Sequence, residues 1–277
     1  HQYISAIDVA RGDGNDSSTI VIIDFTTMEQ VMEYQGKIQP DLLAQLAEEY
    51  GELYKAYTVV DITGGMGVDA WAFAQTCSHV TYVEMQEELA AITQYNHQVL
   101  GVKNITHYTG NGLDKLNQQD FDWIYVDPAR RNAQGEKVIL FKDCQPNVLD
   151  VIAQHPDKKI LIKTSPVLDI SRAIQELGGV SQVYVVSTKQ EVKELLFVKA
   201  GNESLDPMIT IIEEGKAIFE GTQNRERELN NAIGSLKHYV YEAHPGVMKA
   251  GFFKSVLMND LIQLGQHTHL YSSESLI

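Results

Sequence analysis

Three glycines, two acids at the ends of apolar runs and one Asp-Pro pair carry most of the chemistry legible in this chain. The stretch TVVDITGGMGVD (58–69) runs into Asp61, then sets Gly64, Gly65 and Gly67 ahead of a helical pattern. Glycine at such a turn allows positive φ and close approach of the backbone to a ligand. The dinucleotide fingerprint G-x-G-x-x-G seats a pyrophosphate on the next helix. G-G-M-G-V-D lacks that spacing, which speaks against a dinucleotide pocket and leaves open a purely structural turn. TYVEM (81–85) ends the next run in Glu84, whose two oxygens can accept from the vicinal hydroxyls of a ribose. GNG (110–112) offers Asn111, whose amide oxygen can accept from an amino group. DWIYVDPARR (122–131) ends in Asp127-Pro128, with proline fixing the backbone as it leaves a sheet. Asp127 can orient an attacking group, take its proton or hold the loop. Arg130 and Arg131 can grip a phosphate or face solvent.

These residues need elements to hold them at one edge. From residue 57 the pattern alternates strand and helix: strands at 58–62, 79–84, 104–108, 121–126, 159–164, 182–187 and 193–199, helices at 68–76, 86–99, 144–154 and 168–177. Such alternation predicts βαβ units and a mostly parallel sheet. The link between VYVVS and ELLFVKA is too short for a crossover helix, so this pair closes the sheet as an antiparallel hairpin. In an open α/β sheet, ligands sit outside the carboxyl ends of the strands, where Asp61, Glu84, Asn111 and Asp127 all fall. After a break at GNESLDP (201–207), a strand pair at 208–213 and 216–220 and a helix over about 245–263 suggest a small α+β module. Before residue 57, strands are expected at 3–10, 18–25 and 30–36, with a turn at GDGND (12–16) and an amphipathic helix opening at Pro40-Asp41.

The net charge of −15 makes the chain a poor non-specific binder of nucleic acid. Any such role needs a local basic patch, for which Arg130, Arg131, Lys137, Lys142, Lys159 and Lys163 are the candidates. Cys77 and Cys144 are far apart and outside any CxxC, which suggests a reducing compartment and a cytoplasmic location. No apolar run reaches the roughly 18 residues of a membrane helix. Opening at His1 rather than Met suggests a fragment.

Taken together, DITGGMGVD, NHQVLGVKNI, WIYVDPARRN, LFKDCQPNV, ILIKTSPVLDI and VKELLF resemble a Bacteroidetes-type family of class I methyltransferases that carry ferredoxin-like and THUMP-like modules. The resemblance covers about 57–277, and MKAGFFKSV with HTHLYSSE is similar to the ferredoxin-like module. It implies a Rossmann-like sheet, S-adenosylmethionine as cofactor and RNA as the acceptor. Asp61, Gly64, Gly65, Gly67, Glu84 and Asn111 would bind the cofactor, Asp127 and Pro128 would be catalytic, and Arg130 and Arg131 would bind substrate. Asn111 departs from the acid common at its position.

ISAIDVARGDGNDSSTIVIIDF (4–25) is similar instead to the ribonuclease H-like nuclease domain of phage large terminase subunits. That resemblance covers about residues 1–62 and implies Mg2+ held by Asp8 and Asp61, as an alternative function; a second alternative is a methyltransferase-like module that binds RNA without catalysis. The two resemblances meet at TVVDITGGMGVD. This expects a junction there: a β-rich fragment over 1–56, a methyltransferase domain over 57–200 and a small module over 201–277.

Overall fold

A computed structural model describes residues 3–8, 18–24 and 29–36 as backbone, and 57–118, 120–129, 140–230, 232–257, 261–266 and 268–276 in full. The chain divides into two compact units, His1–Lys163 and Thr164–Ile277.

The first unit opens with β1 (Tyr3–Asp8), β2 (Ser18–Asp24) and β3 (Glu29–Gly36), paired antiparallel in sequence order. The expected turn at 12–16 and the helix opening at Pro40 lie outside the described residues. The unit's main sheet holds β4 (Thr58–Asp61), β5 (His79–Glu84), β6 (Ile105–Thr109), β7 (Trp123–Val126) and β8 (Lys159–Thr164). All are parallel, in the order β8-β7-β4-β5-β6. The strands read as apolar runs because both faces of a parallel sheet are covered, and Val60, Val80, Tyr82, Val83, Ile124, Val126 and Ile162 are buried. Crossovers are made by α1 (Val68–Ala74), α2 (Glu87–Val99), the short α3 (Gly112–Leu116) and α4 (Val148–Gln154). The chain runs outward from β4 to β6 and then returns to place β7 on the other side of β4. The carboxyl ends of β4 and β7 therefore flank the topological switch point, where such folds open a crevice.

The second unit begins with α5 (Ile170–Glu176), capped by the Asp169 carboxylate on the Arg172 amide. The hairpin β9 (Gln182–Thr188) and β10 (Glu191–Lys199) is antiparallel as expected. Its two-residue loop, Lys189-Gln190, takes positive φ at both positions (51° and 57°), matching the right-handed twist of the strands. β11 (Met208–Glu213) and β12 (Lys216–Gly221) form the expected pair. The patterning sets that pair in a separate module, but β11 is hydrogen-bonded parallel to β9, along Met208–Glu213 against Gln182–Ser187. A break rich in glycine and polar residues marks a loop, not the sheet edge to which the chain returns. α6 (Gln223–Glu228) follows, and then a small antiparallel sheet of β13 (Tyr239–Glu242), β15 (Leu270–Ser273) and β14 (Ile262–Gln263).

The long helix expected at 245–263 is replaced by α7, Pro245–Ala250. His244 caps it through Nδ1 on the Gly246 amide, proline opens it, and Gly251 at φ 78° ends it. Beyond, the Lys254 and Ser255 amides leave the helical pattern to bind the buried Glu226 carboxylate. Among the described residues, no helix is long and apolar enough to cross a membrane.

Candidate functional site

The turn after β4 is fastened from three sides. The Asp61 carboxylate folds back on its own turn, accepting from the Thr63 amide at 3.0 Å and the Thr63 hydroxyl at 3.2 Å. That hydroxyl also accepts the Asp127 amide at 2.8 Å, so one side chain joins the loops after β4 and β7 across the switch point. The Gly64 amide donates to the Val83 carbonyl at 2.8 Å. The Gly65 carbonyl accepts from the Tyr82 hydroxyl at 2.7 Å and the Thr93 hydroxyl at 3.1 Å. Two positions require glycine. A Cβ on Gly64 would overlap the Tyr82 ring, and one on Gly67, already at φ +74°, would overlap Thr93 and His97. On Gly65 (φ +52°) a Cβ would meet only the Thr63 carbonyl oxygen, at 3.7 Å, so that side of the turn is open.

Glu84 stands at the end of β5 beside this opening. Its Oε2 accepts the Gly65 amide at 2.9 Å and its Oε1 the Gln86 amide at 2.8 Å. These bonds orient the carboxylate, and each oxygen keeps a lone pair for a further donor. Asn111 is the N-cap of α3, its Oδ1 accepting from the Leu113 amide at 3.0 Å. The oxygen that sequence reasoning offers to a ligand is thus already a capping acceptor. Asp127 is exposed and Pro128 buried. The loop carrying them is held by paired backbone bonds between Ala129 and Gln145, at 2.9 and 3.1 Å. Arg130, Arg131 and Lys137 lie outside the described residues, and so does the Asp8 side chain.

Sequence reasoning missed the charged group that completes this edge. Lys163 Nζ lies 2.6 Å from Asp69 Oδ2 and 3.3 Å from Asp127 Oδ2. The Tyr125 hydroxyl donates to the same Asp69 oxygen at 2.7 Å. Two of the supposed patch lysines therefore have specific contacts: Lys163 joins two acids, and Lys159 lies over the Tyr57 and Trp123 rings. A lysine one residue before the end of the apolar run ILIKT, and an acid two residues after Gly67, were the available signals.

Burial pushes the Asp61 carboxyl up to about 7. The hydrogen bond from the Thr63 amide opposes that shift, and the Asp69 charge adds to it. Burial likewise holds the Tyr125 phenol well above its usual value, reinforced by Asp69 and Asp61. Among the described residues, no group of three or more His, Cys, Asp or Glu side chains is arranged to hold a metal.

The parallel strand order, the glycine turn at its switch point and the antiparallel hairpin define the class I methyltransferase type of α/β fold. Residues 239–277 match a family of ferredoxin-like domains. The crystal structure of a "putative methyltransferase" from Porphyromonas gingivalis W83 is 31% identical, with a TM-score of 0.73, over 84% of this chain and 61% of that one. An "uncharacterized RNA methyltransferase" of Enterococcus faecalis is 24% identical over 151 residues, 53% of this chain and 33% of the relative. A "protein-L-isoaspartate O-methyltransferase" of Xanthobacter autotrophicus is 31% identical over 96 residues, 34% of this chain and 43% of the relative. The chain thus spans under half the length of these two curated relatives.

Proposed function

We propose that this chain carries an S-adenosylmethionine-dependent methyltransferase whose acceptor is RNA. The observation that supports the cofactor most directly is the pairing of an open glycine turn with an oriented acid. Space lies beside Gly65, and the Glu84 carboxylate, held by the Gly65 and Gln86 amides, retains acceptor capacity for two hydroxyls. The residues fit a ligand that carries a ribose and needs no phosphate site at the turn. In this reading Asp61, Gly64, Gly65 and Gly67 shape the floor, and Asn111 lines the adenine side from the end of α3.

When bound, the cofactor supplies an electrophilic methyl group. The protein's part is mostly positioning. Asp127 stands at the mouth, its backbone fixed by Thr63 and Pro128 and its carboxylate beside Lys163. There it can accept a hydrogen bond from an incoming N–H or O–H nucleophile and align it. Arg130 and Arg131, three and four residues on, would meet the phosphates of the acceptor. RNA is favoured by relatives described as RNA methyltransferases in Enterococcus faecalis and Caldanaerobacter subterraneus.

The nuclease alternative has no such support. Asp61 is buried, and its carboxyl is turned onto the Thr63 amide and hydroxyl.

Calorimetric titration with S-adenosylhomocysteine tests the cofactor, with Glu84→Ala as control. Binding that weakens in the variant is expected, and no binding by folded protein would sink the reading. Labelled methyl groups should then enter RNA from a cellular pool; label in protein or DNA alone would overturn the acceptor assignment.

A further inference from the structure

Gly67 is braced by two histidines that the proposed chemistry does not use. Its carbonyl oxygen accepts the first helical bond from the Trp71 amide at 2.9 Å and a second bond from His97 Nε2 at 2.9 Å. A carbonyl only accepts, so His97 Nε2 carries the hydrogen. The neutral ring then presents a bare Nδ1, and His107 Nε2, 2.8 Å away, must donate to it. The result is a directional chain from β6 through α2 to the turn: His107 to His97 to Gly67. His97 is buried, and the Tyr82 ring, whose hydroxyl holds Gly65, packs against both imidazoles at 6.0 and 5.3 Å. Burial holds both rings below their usual value, with His107 at about 4 under the added influence of His97, so the chain is uncharged at neutral pH.

We propose that His97 is a positioning residue for the glycine turn, aligned by His107, and that the grip of the turn on its ligand depends on this two-imidazole strut. The proposal rests on the cofactor reading above for the ligand, but not for the strut. The pair can absorb one proton on His107 Nδ1 with both bonds kept. A second proton sets two N–H groups against each other and opens the strut. The titratable group facing both rings is Tyr82 from β5, itself influenced by Glu84 and Asp61; Thr93 lies one helical turn before His97. Among the described residues, no carboxylate is paired with either imidazole to support a second positive charge.

The test compares wild type, His97→Gln, His97→Leu and His107→Phe. S-adenosylhomocysteine affinity is measured at pH 7.5, and amide exchange is followed in the segment spanning the turn. Glutamine can still donate to Gly67 but does not titrate. His97→Leu is expected to lose about tenfold or more in affinity at pH 7.5, or about 1.4 kcal/mol, with faster exchange at the turn. His97→Gln should stay within about threefold, because the donor to the Gly67 carbonyl is kept. His107→Phe keeps the packing and should show a smaller loss, so it carries the test if His97→Leu does not fold. Unchanged exchange at the turn in both apolar variants overturns the strut. If wild type binds no S-adenosylhomocysteine, the cofactor reading fails by itself, and the exchange measurement still decides the role of His97.

Discussion

Asp61→Asn should stabilise this protein at alkaline pH and leave it nearly unchanged in acid. Asp61 is 1% exposed, and its carboxyl is raised from an ordinary 3.8 to about 7, with burial as the largest cause. Folding therefore favours the protonated form. That contribution is fully present below the unfolded pKa, near 4, and is lost as pH rises through the folded pKa, near 7. A shift of about three units at 1.36 kcal/mol each sets an upper bound of about 4 kcal/mol. Asparagine is neutral at every pH, and its Oδ1 can still accept the two Thr63 hydrogen bonds. The gap between variant and wild type should thus open between pH 4 and pH 7 and stay wide above that. Urea unfolding followed by tryptophan fluorescence reads it directly, because Trp71 and Trp123 are both buried. The informative quantity is the difference between the two proteins, since every other titrating group is common to both. A gap that does not change with pH, or a wild type more stable than the variant at pH 8, would refute the claim that Asp61 is neutral in the fold.

Gly64→Ala places a Cβ in the Tyr82 ring; a loss of about 1–3 kcal/mol in stability is expected from overpacking, with S-adenosylhomocysteine affinity falling more than tenfold, as melting and calorimetry would report. Lys163→Met removes the cation between Asp69 and Asp127. Cofactor affinity should change little while methyl transfer drops by an order of magnitude or more, a split that single-turnover assays would expose. Glu226→Ala leaves the Lys254 and Ser255 amides and the Ser255 hydroxyl without their buried acceptor. It should cost about 1–3 kcal/mol in thermal or urea unfolding without altering S-adenosylhomocysteine affinity.

Much of this protein is local in origin, and that part was legible in the sequence. Apolar runs of five to seven residues alternating with helical patterns identified β4 to β10 to within two residues at either end, because each strand's burial is written in its own side chains. The glycine turn, Glu84 and Asp127 were found the same way, since each sits where an apolar run stops. The tertiary structure alone decided what those ends face. Lys163 and Asp69 lie 94 residues apart and meet only because β8 and α1 come to the same edge of the sheet. Nothing in either segment names the other, so Lys163 read as one more surface cation. The brace of His97 on Gly67 and the pairing of β11 with β9 have the same cause. Periodicity reports which face of an element is buried, but not which neighbour buries it. The protonation of Asp61 follows from that limit. A carboxyl at a strand end is ionised in the sequence, and only the packing that removes water from it raises its titration to about 7.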